Sequence, residues 1–149
     1  MAERLNSRRK QFAFEKLEVW QDARQLVAEV YECTRHFPQS ERFGLTSQIN
    51  RAAVSIANNL AEGSVRSSLK DQAHYSNLSY GSLMETASDL IIACDLGLAT
   101  QETVEPLLNA AYDLGVRIHN LRQSVSTSPL AHARLNHSST TAQPQLNRA

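Results

Sequence analysis

The chain has 149 residues, of which 42% are hydrophobic, and its 15 basic and 15 acidic residues give a formal net charge of zero. This length suits one domain that can bury a real core, and nothing in the composition favours two domains. The sequence has no apolar run of membrane-spanning length and no apolar segment near the N-terminus that resembles a signal peptide, so we expect a cytoplasmic protein without a membrane partner.

The charges are distributed unevenly along the chain. Residues 1–16 hold five Lys or Arg against two Glu, and residues 117–149 hold four Arg and no acid. Residues 17–116 hold six basic and thirteen acidic residues. Basic ends on an acidic body are compatible with arms that contact phosphate, and they are also typical of solvated tails.

Residues 1–13 are polar and basic, which predicts a flexible N-terminal arm. A helix is predicted from Glu15 to His36, because apolar residues recur there at spacings of three and four. Pro38 ends this helix. Phe43, in the connector that follows, is expected to pack on the end of the bundle.

The second helix is predicted from Leu45 to Glu62, with Gly63 as its left-handed C-terminal cap. Its apolar residues Leu45, Ile49, Ala52, Ala53, Ile56 and Leu60 fall on one face. Only Arg51 and Glu62 carry charge in this segment, and a helix so poor in charge is usually buried on more than one side. We therefore expect it to contact both its own chain and another subunit.

The third helix is predicted to begin at a cap formed by Ser68 with Asp71 and to reach Asp95, with Gly97 closing it. Gly81 falls in mid-helix, where glycine costs about 1 kcal/mol relative to alanine. Antiparallel pairing with the second helix would set Gly81 opposite Ala52, and we expect the two backbones to approach closely there.

Thr100 is predicted to cap a fourth helix that carries a heptad-like apolar stripe as far as Val125. The bundle domain is therefore assigned to residues 14–126. Residues 127–149 are rich in Ser, Thr, Asn, Gln and Pro without a helical stripe, and we interpret them as a disordered polar tail.

A line of polar side chains follows the second helix. The pairing register places Arg51 near Ser82 and Glu85, and Glu62 near Lys70 and His74. Because buried charges need partners, one interpretation is a structural polar network, and the other is a polar pocket or nucleic-acid contact. The network comprises Gln48, Arg51, Ser55, Asn59, Glu62 and Glu85.

Four segments carry a family resemblance: FEKLEVWQDA from Phe14, FPQSERFGLTSQ from Phe37, QINRAAVSIANNLAEG from Gln48 and YGSLMETASDL from Tyr80. They resemble the bacterial family of the 23S ribosomal RNA intervening-sequence protein. The resemblance implies an all-α, antiparallel up-down-up-down four-helix bundle that forms a ring-like homo-oligomer, a pentamer. Distant relatives include the accessory protein of diversity-generating retroelements, which looks like a nucleic-acid-binding partner of a reverse transcriptase. The resemblance therefore implies a similar accessory role for this chain.

No enzyme motif or cofactor site is visible, and Asp71 with His74 falls short of a bundle metal site. Cys33 and Cys94 fit reduced core thiols. The first functional hypothesis is a non-catalytic, RNA-binding or DNA-binding homo-oligomer, an accessory to an RNA or reverse-transcriptase complex. The alternative is a protein-interaction scaffold ring that binds no nucleic acid. The candidate phosphate contacts are Arg8, Arg9, Lys10, Arg117 and Arg122.

Overall fold

The structure, a computed structural model, describes Leu5 and residues 8–126, with side chains as far as residue 123. The predicted tail at 127–149 lies outside the described residues. The described part is all-α, with no strand. Its four helices are α1 (Glu18–Thr34), α2 (Leu45–Ser64), α3 (Leu69–Asp95) and α4 (Gln101–Ser126), and short 3-10 turns occur at Ala13–Lys16 and Gln39–Glu41.

Local signals set the ends of α3 and α4 as predicted. The Ser68 hydroxyl accepts the Asp71 backbone N–H at 3.0 Å, and the Thr100 hydroxyl accepts the Thr103 N–H at 3.2 Å. These bonds satisfy backbone donors that the first turn of a helix leaves unpaired. Gly97 follows α3 with φ at 72°, the left-handed conformation that glycine adopts without steric cost.

The apolar stripes of the four helices meet in one core. Burying each large aliphatic side chain of this core contributes about 1.5–3 kcal/mol. Phe37 joins the core, whereas Phe43 is 91% exposed, so the prediction that Phe43 packs on the bundle was wrong. The Arg42 guanidinium lies 5.4 Å from the Phe43 ring instead. The largest fully buried apolar side chains are Val30, Ile49, Ile56, Leu83, Leu90 and Ile118.

The helices α2 and α3 are joined by side-chain hydrogen bonds that fix their register. The Ser79 hydroxyl donates to the Ile56 carbonyl at 2.8 Å, and the hydroxyls of Ser55 and Ser82 lie 2.9 Å apart. Residue numbers therefore rise along α2 as they fall along α3. Because Ser55 pairs with Ser82, Ala52 faces a part of α3 about one turn beyond Gly81, so the predicted Gly81 contact was wrong.

The close approach of α2 and α3 occurs at Gly63. This residue is buried and helical, and α2 continues to Ser64, so the prediction of a left-handed cap at Gly63 was also wrong. A Cβ at Gly63 would lie 2.8 Å from the Tyr75 Cβ, whereas a Cβ at Gly81 would meet nothing within 4 Å. A glycine does allow α2 and α3 to approach closely, but it is Gly63 and not the predicted Gly81.

Alanine substitution at these two glycines should have opposite effects on the free energy of unfolding. Gly63→Ala should destabilise by about 1–3 kcal/mol, because the Tyr75 Cβ cannot move without its backbone. Gly81→Ala should stabilise by about 0.5–1 kcal/mol through its higher helix propensity. Urea denaturation of both variants measures the difference, and equal effects of one sign would contradict the packing described here.

Candidate nucleic-acid interface

Segments from all four helices meet at one end of the molecule. A single pocket is lined by Leu17 before α1, Gly63 near the end of α2, Gln72 and Ser76 near the start of α3, and Leu121 near the end of α4. We call this region, residues 8–19, 62–74 and 117–123, the basic end. Its basic side chains are Arg8, Arg9, Lys10, Lys16, Arg66, Lys70, Arg117 and Arg122, and its carboxylates are Glu15, Glu18, Glu62 and Asp71.

The opposite end carries mainly carboxylates. Gln48 near the start of α2 bonds Asp89 on α3, and a pocket lined by Asp95 and Glu105 joins the end of α3 to the start of α4. We call residues 35–42 and 89–105 the acidic end. It contains Glu41, Asp89, Asp95, Glu102 and Glu105 against Arg35 and Arg42.

The segment before α1 is held against the bundle by Glu15. Arg9 donates two hydrogen bonds to the Glu15 carboxylate, at 2.9 and 2.6 Å, and the Phe12 backbone N–H donates a third at 2.9 Å. The Arg9 guanidinium and then the Phe12 N–H hold the pKa of Glu15 down at about 2. Part of the predicted flexible arm is thus folded, and Arg9 already has an anionic partner.

The Arg9–Glu15 pair should contribute a pH-dependent share of stability. The folded pKa of Glu15 lies below its ordinary value of 4.5, so the contribution is fully present above that value and is lost as pH falls from about 4.5 towards 2. Unfolding curves of the native chain and Arg9→Gln should differ above pH 5 and converge below pH 3. A difference that stays constant down to pH 2.5 would contradict this pairing.

Two further predicted phosphate contacts also have partners within the chain. Arg117 donates to the Glu18 carboxylate at 3.1 Å and forms an ion pair with Asp22, which joins α4 to α1. Arg122 donates to the Asn77 amide oxygen and lies 5.6 Å from the Tyr80 ring. Arg8 is exposed and also makes a contact within the chain.

Three lysines at the basic end differ from these arginines. The side chains of Lys10, Lys16 and Lys70 are exposed, and among the described residues none of them forms an ion pair. Lys16 and Lys70 were absent from the sequence-based candidates, because Lys16 follows the predicted arm and Lys70 lies in the acidic middle of the sequence. The packing of the helices brings both lysines to the same end of the bundle.

The predicted polar line on α2 resolves into separate groups of contacts. Asn59 donates to the Ser55 carbonyl and hydroxyl at 2.9 and 3.0 Å, which extends the Ser55–Ser82 bond. Glu62, which the predicted register placed near Lys70 and His74, accepts from Arg66 and from Tyr75, the residue that follows His74.

Arg51 and Glu85 do not join this network. Both are exposed, and in the part of the chain that the structure describes neither makes an ion pair or a side-chain hydrogen bond. Asp89, one turn from Glu85, is only 4% exposed and has one carboxylate oxygen without a partner among the described residues. Burial raises the pKa of Asp89, against the hydrogen bond that Gln48 donates at 3.2 Å.

Other chemistry is not assembled in the described residues. They contain no group of three or more His, Cys, Asp or Glu side chains placed to hold a metal ion, and none of their helices has the length and apolarity to cross a bilayer. Cys33 and Cys94 are free thiols, and burial raises the pKa of Cys33.

Comparison with known proteins assigns the family. The sequence profile described as the 23S rRNA-intervening sequence protein matches residues 15–120. The chain belongs to this family. The match runs from the turn that precedes α1 into the last part of α4, so the family region and the helical bundle coincide.

A solved structure resembles this 23S rRNA-intervening sequence family chain in fold. It is the crystal structure of a protein with unknown function from the S23 ribosomal protein family of Bacteroides thetaiotaomicron, with a TM-score of 0.63 and 19% sequence identity. The similarity covers 70% of this chain and 97% of the other. No protein with a curated functional description matches at a significant level.

Proposed function

We propose that this protein is a non-catalytic RNA-binding protein whose up-down-up-down bundles assemble into a ring-like homo-oligomer, a pentamer. It acts as an accessory to an RNA or reverse-transcriptase complex. The observation that carries the RNA-binding proposal is the position of Lys10, Lys16 and Lys70 at the end of the bundle where α1 begins and α4 ends. Because no carboxylate of the described residues pairs with these ammonium groups, they are available to phosphate without breaking an internal ion pair.

The acidic end also supports RNA binding at the basic end, because its carboxylates disfavour phosphate there. Phosphate is repelled by Asp95, Glu102 and Glu105, so RNA that approaches the molecule is oriented towards the lysines. The sequence-predicted arginines Arg9, Arg117 and Arg122 already have partners within the chain, so their role in phosphate binding is secondary.

Filter binding of a structured RNA and of duplex DNA at 50 and 200 mM salt tests the proposal. Release of counterions from about three phosphate contacts predicts a fall in affinity of about 40-fold between the two concentrations. The measurement with DNA shows whether the protein also binds a DNA duplex. If neither RNA nor DNA is retained at 50 mM salt, RNA binding is contradicted.

Assembly with a second copy is supported by the outer face of α2 and α3. Leu78 and Ile92 are each 42% exposed on α3. Glu85 lies midway between them on the same helix, and both Glu85 and Arg51 of α2 are exposed. Apolar groups beside two opposite charges make a face suited to contact with another copy, and in a ring this face would meet a different patch of the neighbouring copy.

The scaffold alternative rests on the acidic end, where Ile91 and Leu96 are exposed beside carboxylates. A scaffold would form the oligomer and retain neither RNA nor DNA. The filter-binding result, combined with the solution mass, therefore distinguishes the two functions.

A further inference from the structure

The pocket at the basic end has a size and lining suited to a flat ring. Its volume is about 210 Å³, and Leu17, Leu60 and Leu121 supply an apolar wall. An engineered apolar cavity of about 150 Å³ accepts benzene. One or two fused rings therefore fit the space between these leucines.

Most hydrogen-bond donors in the polar part of the lining are already engaged. The Asn59 amide nitrogen donates to Ser55, and the Gln72 amide nitrogen donates to the Arg66 carbonyl at 2.8 Å. The Ser76 hydroxyl donates to the Gln72 carbonyl at 3.1 Å. The remaining hydrogen-bonding capacity of these side chains is mainly that of acceptors, since the amide and hydroxyl oxygens keep free lone pairs, and Gln72 keeps one amide N–H as well.

A second, more open recess adjoins the pocket. Leu17 and Leu121 line both spaces, and Lys16, Arg117 and Asn120 line the second one. Glu18 also lines it and holds Arg117, but this carboxylate is 85% exposed. An anion in this recess would meet the Lys16 ammonium and would compete with Glu18 and Asp22 for Arg117.

We propose that the pocket binds an unpaired nucleobase that carries an exocyclic amine, with its phosphate in the adjacent recess. This inference rests on the proposed RNA-binding function. The leucines cover the faces of the base, and the acceptor oxygens of Asn59 and Gln72 receive its N–H groups. The ligand class is thus an unpaired nucleotide within a structured RNA, adenosine being the first probe.

The direct test compares two RNAs on the native chain. One is a fluorescein-labelled stem-loop with a single bulged adenosine, and the other is the same RNA with an abasic residue at the bulge. Fluorescence anisotropy should give a Kd about tenfold higher for the abasic RNA, a loss typical of one protein-bound base. Equal Kd values for the two RNAs would overturn the inference while leaving RNA binding intact.

Gln72→Leu and Gln25→Leu form a matched pair of variants. Gln72→Leu should reduce the tenfold difference to less than about threefold, because it removes an acceptor from the pocket. Gln25→Leu, in the groove between α1 and α4, should preserve the difference. Equal behaviour of the two variants would also overturn the inference.

A mononucleotide separates failure of the pocket from failure of the proposed function. If neither RNA binds, RNA binding as a function is contradicted, and NMR titration with adenosine 5′-monophosphate decides the pocket. Shifts near Leu17 and Ser76 that disappear in Gln72→Leu would support it. No shift at millimolar nucleotide would overturn it.

Discussion

Replacing Lys16 and Lys70 together by Glu should weaken RNA binding by at least about 30-fold at 0.15 M salt. Each lost phosphate contact removes a counterion-release contribution of about fivefold at this ionic strength, and the new carboxylates add repulsion. The slope of the logarithm of affinity against the logarithm of salt should also become shallower by about two. Fluorescence anisotropy across a salt series measures both quantities.

The double replacement of Arg35 and Arg42 by Glu is the matched control. It changes the net charge by the same amount, but at the acidic end, so RNA affinity should change less than about threefold. Neither Lys16 nor Lys70 has an internal ion pair, so their replacement should leave the unfolding midpoint close to that of the native chain. Equal losses of affinity in the two double variants would show that net charge alone governs binding.

Reversing Arg51 or Glu85 should dissociate the proposed oligomer. If Arg51 of one copy meets Glu85 of another, Arg51→Glu and Glu85→Arg each place like charges together, which costs several kcal/mol at an interface. The concentration at half-dissociation should rise at least about tenfold in each single variant. Light scattering over a dilution series measures this shift.

The double variant Arg51→Glu with Glu85→Arg restores opposite charges in exchanged positions. It should recover most of the native mass, because the exchanged pair regains the attraction that each single variant loses. Glu102→Arg, at the start of α4, serves as the control and should leave the mass unchanged. A native chain that is monomeric at all concentrations, or a double variant that remains dissociated, would contradict the pairing.

Much of the fold followed from local physics in the sequence. Apolar periodicity located four helices, and hydroxyl caps at Ser68 and Thr100 fixed two helix starts within one residue. The left-handed Gly97 was also predictable, because it follows the last periodic residue of α3. These features depend on neighbours within a few positions, which a single sequence displays directly.

The failures share a dependence on how helices pack in space. Gly63 looked like a helix end by residue type, but the contact with Tyr75 explains it as a packing position within α2. The register inferred from the position of the α2–α3 turn was wrong by about one helical turn, which placed Gly81 opposite Ala52. Exposure of Phe43 could not be read from hydrophobicity, since it depends on how the connector turns.

The sequence predicted that basic residues form the candidate site, but it did not predict which of them are available to a ligand. Uneven charge pointed to the chain ends, but Arg9 and Arg117 proved to be paired with carboxylates that lie six or more positions away. Spatial grouping added Lys16 and Lys70. A single sequence shows charge along the chain, whereas availability to a ligand depends on pairing across helices.

Photochemical crosslinking of a bound structured RNA, followed by mass spectrometry of the attached peptides, tests the central claim most directly. The account predicts crosslinks within residues 8–19, 62–74 and 117–123, at Lys16, Lys70 and the lining of the adjacent pocket. Crosslinks concentrated in residues 35–42 and 89–105, at the acidic end, would contradict it.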